Sequence, residues 1–123
     1  MARRSSSAHA VHTTFEDYSS AAITTGTNKR EWTAPFHGRI VGVSARTEAA
    51  TSGTSTLDVN INGTSIFAAA NRPTKTTTGA GEFTAGNFDS TASGFIAGDV
   101  IGYDVDVAGT GHSRFSISIS LGV

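Results

Sequence analysis

The chain has 123 residues, enough for one domain with a core of its own. A charged fraction of 15% and a formal net charge of -1 leave the whole chain no electrostatic footprint for nucleic acid. With no cysteine, a disulfide framework, a thiolate nucleophile and a cysteine metal site are excluded, and synthesis in a reducing cytoplasm is favoured.

The hydrophobic fraction is 37%, low for a globular enzyme, and Thr, Ser, Ala and Gly make up the difference. That composition favours an all-β domain of short strands and many turns. The start, "MARRSSSAHAVHTTFEDY", has two arginines but no apolar run behind them, so no signal peptide is expected. No stretch approaches the roughly 18 consecutive apolar residues of a membrane-spanning helix.

Residues 1–14 read as an extended N-terminal arm, and residues 15–123 as one β-sandwich domain. Arg3 and Arg4 make the arm locally basic, while the remainder carries seven Lys and Arg against ten Asp and Glu. The arm is either a disordered terminus or a segment that orders on a partner, with Arg3, Arg4, His9 and His12 as its contact residues.

From Phe15 the pattern becomes that of strands. "FEDYSSAAITTG" reads as a strand or extended segment anchored by Phe15, Tyr18 and Ile23. Trp32 and Phe36 flank Pro35, which is tolerable only at a strand edge or turn. "GRIVGVSAR" is a strand carrying Ile40, Val41 and Val43, followed by the small-residue loop "AATSGTST". "TLDVNI" alternates strictly, with Leu57, Val59 and Ile61 on a buried face and Asp58 and Asn60 on a wet one. Asn62-Gly63 then predicts a hairpin, because both central residues of a type I′ turn need positive φ.

The next segment, Ala68 to Gly94, is long, polar and glycine-studded, with a short strand expected within residues 82–88. Gly98 and Asp99 form a turn into "DVIGYDVDVAG". There Ile101, Tyr103, Val105 and Val107 point inward, and Asp104 and Asp106 outward. "SRFSISISL" closes the chain, with Phe115, Ile117, Ile119 and Leu121 set against Ser116, Ser118 and Ser120. The expected fold is all-β: a single antiparallel β-sandwich, jelly-roll-like, of seven to eight strands, with the last two strands central.

The search for chemistry finds little. His9 and His12 are spaced i, i+3, but no third ligand stands near before Glu16 and Asp17, so no metal site is expected. His112 beside Ser113 lacks a G-x-S-x-G elbow, which argues against a hydrolase. Asp104 and Asp106 share a strand face, and outward polar positions account for them without a cation or an acid/base pair. No catalytic residue, metal or cofactor is expected, and neither nucleic acid nor membrane is an expected partner. Trp32, Phe36 and Tyr103 could stack on a sugar if exposed, or plug one end of the core if not.

Two runs resemble small virion proteins of tailed phages. They are "WTAPFHGRIVGVSARTEAATSGTSTLDVNINGTSIFAAANRPT" and "FIAGDVIGYDVDVAGTGHSRFSISISL". The shared order of parts is an "APF-x-G" opening, a strand, a small-residue loop, "DVN-x-NGTSIF", a polar loop from "NRPT", then "GD" and a "DVDV" strand. The likeness spans Trp32 to Leu121 and leaves residues 1 to about 20 outside. It implies a non-catalytic virion component with a jelly-roll-like sandwich, commonly trimeric. The position implied is a capsid decoration (cement) protein, a head fibre, or a tail-fibre or baseplate appendage.

The short chain, the lack of a fibre repeat and the basic arm favour decoration of the capsid, with the major capsid protein or another virion protein as partner. A host-surface glycan is the expected partner if the chain is instead a tail or head-fibre module. The loops Thr47 to Thr56 and Ala68 to Phe83 would be contact surfaces, and Phe67 or Phe88 would lie near a threefold interface.

Overall fold

The computed structural model describes residues 10–89 and 91–122. The strands in chain order are β1 (Ala10–Ala22), β2 (Gly26–Thr33), β3 (Gly38–Ala49), β4 (Ser55–Ile61) and β5 (Thr64–Ser65). They continue as β6 (Thr74–Lys75), β7 (Gly81–Glu82), β8 (Gly94–Phe95), β9 (Val100–Val107) and β10 (Ser113–Gly122). Among the described residues a 3-10 turn, Ala69–Asn71, interrupts them. Among the described residues no helix is long and apolar enough to cross a membrane.

The strands form two antiparallel sheets that pack as a sandwich. One has the order β1-β10-β3-β7, with β8 also pairing β3; the other has β2-β9-β4-β5, with β6 also pairing β4. The short strands β7 and β8 share the place beside β3, and β5 and β6 share the place beside β4. The ten strands of the described residues thus occupy eight places, four to a sheet. The chain crosses between the sheets at every step except β4 to β5, β5 to β6 and β7 to β8, which is a jelly-roll order. As expected, β9 and β10 are central: β9 lies between β2 and β4, and β10 between β1 and β3.

Alternation explains the core. Leu57, Val59 and Ile61 of β4 and Ile101, Tyr103 and Val105 of β9 face Phe115, Ile117, Ile119 and Leu121 of β10. All are buried, and each is worth roughly 1.5–3 kcal/mol relative to exposure. Tyr103 and Phe115 meet across the sheets with ring centroids 6.0 Å apart. Ile23, past the end of β1, is buried in the same cluster. The Asn62-Gly63 turn is as expected, with φ of 51° and 82°. It also docks on β9: Asn62 Oδ1 accepts from the N–H of Val100 at 2.8 Å, and Nδ2 donates to Asp99 at 2.9 Å.

Three expectations need correction. Val107 does not point inward but is 49% exposed. Two steps along β9, Val105 to Val107, match one along β4, Leu57 to Thr56, and this bulge breaks the alternation. Asp58 and Asn60 are not on a wet face: they are 5% and 4% exposed, because β5 and the chain after it carry Ser65 and Arg72 against that face. The strand expected within residues 82–88 is reduced to the β7 pair, and Phe88 then forms an isolated bridge with Phe67.

The long polar segment is pinned rather than loose. The N–H of Leu57 donates to the Pro73 carbonyl, Thr84 to Thr74, Asn87 to Asn71 and Asp89 to Ile66, all at 2.8–3.0 Å. Of the loop expected from Thr47 to Thr56, both ends belong to strands, leaving residues 50–54 between β3 and β4. Residues 10–14 of the expected arm belong to β1, where Ala10, Val11 and Thr13 pair with Gly122, Leu121 and Ser120.

Candidate functional site

Carboxylates gather on the outer face of the second sheet. Asp58 of β4 stands directly opposite Asp104 of β9, a pairing of like charges that is unfavourable unless it is offset. Neighbouring groups offset it. Arg72 Nη1 donates to Asp106 at 2.9 Å, and its Nη2 lies 3.5 Å from Asp58. Ser65 Oγ donates to Asp58 Oδ1 and accepts from the Phe67 N–H at 3.0 Å. Asn60 Nδ2 donates to Asp104 at 2.9 Å, and the Asn28 N–H does so at 2.7 Å. Burial pushes the Asp58 carboxyl up, while the Ser65 hydrogen bond and the Arg72 charge pull it down. Asp104 and Asp106 share a face but serve different partners. Among the described residues no group of three or more His, Asp or Glu is placed to hold a metal.

A second polar cluster lies inside the sandwich. Ser55 Oγ is 2.7 Å from His112 Nδ1 and accepts from the Gly109 N–H at 2.9 Å. Ser55 and His112 are fully buried, and His112 Nε2 has no partner in hydrogen-bond geometry. Burial pushes the imidazole down, the Lys75 charge adds to this, and the Ser52 and Gly53 backbone acts the other way. Lys75, paired with Ser55 between β6 and β4, is 2% exposed. Its Nζ donates to the carbonyls of Thr77 and Gly79 at 2.6 and 3.0 Å, closing the turn that leads to β7. The serine bonded to His112 is therefore Ser55 and not Ser113, and both side chains of the pair are buried.

The aromatic residues separate into two places. Trp32 and Phe36 are half-buried side by side, with centroids 5.8 Å apart, and both pack on buried Phe95. Tyr103 does not join them at the surface. It is 2% exposed and belongs to the core, because it falls on the inward face of β9. Phe67 and Phe88, expected outside the core, meet edge to face at 5.9 Å; Phe67 is buried and Phe88 packs against the core. Phe88 stays partly exposed beside it.

Arg3, Arg4 and His9 lie outside the described residues. His12 falls in the backbone of β1, with its side chain also outside the description. Sequence reading missed Arg72, Ser55 and Lys75. A lysine among threonines reads as exposed, and nothing in the pattern marks Lys75 as a plug. Arg72 had one signal, its place beside Pro73 in a polar loop, which says nothing of the carboxylates it reaches.

No protein-family model matches the chain, and no curated protein matches it. Among solved structures, a chain of the cyanophage Pam1 capsid asymmetric unit is similar over 99% of this chain and 94% of that one. The identity is 17% and the TM-score 0.34, too low to support an argument about function.

Proposed function

We propose that this chain is a non-catalytic structural protein of a tailed-phage virion, a decoration protein seated on the capsid surface. The observation that carries the reading is the jelly-roll order of the two sheets, an architecture suited to capsid and lectin domains. The virion-like words between Trp32 and Leu121 choose between those uses. Consistent with an inert block, Arg72, Ser65 and Asn60 bind the carboxylates of the outer face, and Lys75 pins the turn before β7. In this reading the protein is a homotrimer, assembles with the virion in the host cytoplasm and contacts the major capsid protein. A second reading, a module that binds a host-surface glycan, is favoured by the half-exposed Trp32–Phe36 pair alone.

Co-sedimentation with undecorated capsids tests the first reading. The full chain is compared with a variant lacking residues 1–9, which spares the paired part of β1. Binding by the full chain supports decoration, and its loss on truncation makes the arm the anchor. If the full chain stays in the supernatant, the capsid reading fails. Retention on immobilised host glycans, abolished by Trp32→Ala, would then establish the second.

A further inference from the structure

Strand β2 does not run evenly along β9. Gly26 pairs with Val105 and Arg30 with Tyr103, so four steps on β2 match two on β9. The extra residues form a bulge, and Asn28 within it has φ of 45°. The surroundings are shaped for it. The Asn28 N–H is held by Asp104, itself held by Asn60. A Cβ on Gly102 would lie 2.7 Å from Asn28 Oδ1 and 3.1 Å from the Arg30 carbonyl, so only glycine lets the bulge sit there. A Cβ on Gly26 would lie 2.9 Å from Lys29 Cδ, so this glycine makes room for the lysine stem. Bulges often serve to re-aim a side chain, and here that side chain is Lys29.

Lys29 stands at the mouth of a cavity of about 110 Å³. Tyr103, Val105, Phe115 and Ile23 form its apolar wall, and Ala22 and Thr24 its rim. Lys29 Nζ donates to Thr24 Oγ1 at 2.9 Å, and no carboxylate of residues 20–89 or 91–122 pairs with it. The space is smaller than the roughly 150 Å³ cavity that accepts benzene, which favours a branched body of about four carbons over a ring. The unmatched cation at the mouth favours an anion.

We propose that this cavity binds a small monocarboxylate with a short branched apolar body. The apolar end sits against Tyr103, Val105 and Phe115, and the carboxylate accepts from Lys29 Nζ and the Thr24 hydroxyl. The site is independent of the virion reading and would exist in the free protein.

Titration of the full chain with isovalerate, followed by amide NMR, tests it, with neutral isovaleramide as the matched control. Saturable shifts at Tyr103, Val105, Phe115 and Ala22 in the millimolar range are expected, the scale for so small a ligand. Lys29 is exposed, so Lys29→Gln leaves the fold intact and weakens the acid about fivefold, the worth of a partly solvated ion pair. Ala22→Leu, also at an exposed position, fills the rim and abolishes binding. The proposal is overturned by the absence of saturable shifts, by isovaleramide binding as tightly as the acid, or by Ala22→Leu leaving the titration unchanged.

Discussion

Ser55 Oγ lies 2.7 Å from Nδ1 of His112, and neither side chain reaches solvent. The same hydroxyl accepts from the Gly109 N–H, so one small side chain ties β4 to the turn before β10. The packing there is close: a Cβ on Gly109 would fall 2.5 Å from His112 Nε2.

Ser55→Ala should therefore strand two buried groups at once, the His112 Nδ1 and the Gly109 N–H. Each unsatisfied group costs about 1–3 kcal/mol, and a total loss of about 2–6 kcal/mol is expected. Urea unfolding reads this as a lower midpoint with an unchanged slope. A loss under about 1 kcal/mol would mean that water replaces the hydroxyl and that the cluster is not sealed.

The same histidine makes stability fall in mild acid. Its folded-state pKa is lowered from the ordinary 6.5, so below that pH the unfolded chain takes up a proton that the folded chain refuses. The contribution is complete above pH 6.5 and is lost as pH falls towards the folded value. Asp58 works in the opposite sense: burial raises its pKa, so the folded chain binds that proton first and gains stability on acidification. Unfolding midpoints compared at about pH 7.5 and about pH 5.5 should drop for the native chain and drop less for His112→Gln. An equal drop in both would assign the effect elsewhere.

Arg72 is the cation that reconciles Asp58 with Asp106. Arg72→Met should cost about 1–3 kcal/mol, the range between a surface ion pair and a buried one, since the Arg72 side chain is 26% exposed and the Asp58 side chain 7%. Adding Asp58→Asn should restore part of the loss, because the uncompensated charge is gone. A double-mutant cycle with no coupling would show that Arg72 acts through packing alone.

Asn62→Ala removes both a residue that tolerates φ of 51° and the side-chain link to Asp99 and Val100. About 1–2 kcal/mol of stability should go, with hydrogen exchange rising first at the Val100 amide. Protection unchanged at Val100 would count against the link.

The sequence by itself determined the architecture and most of the core. Period-two alternation in β4, β9 and β10 is local, so Leu57, Ile101, Phe115 and their partners could be assigned without knowing what they would face. The turn at Asn62-Gly63 was legible for the same reason, since positive φ is a property of two adjacent residues. What only the tertiary structure decided are relations between distant segments. Asp58 and Asn60 lie buried because residues 65–72 cross their face; Val107 is exposed because β9 gains a residue over β4; and Tyr103 lies far inside while Trp32 stays at the rim. Lys75, Ser55 and His112 come together from three strands or turns separated by up to 57 positions, and no periodicity encodes such a meeting. Alternation states which way a side chain points, while its burial depends on what another part of the chain lays over it.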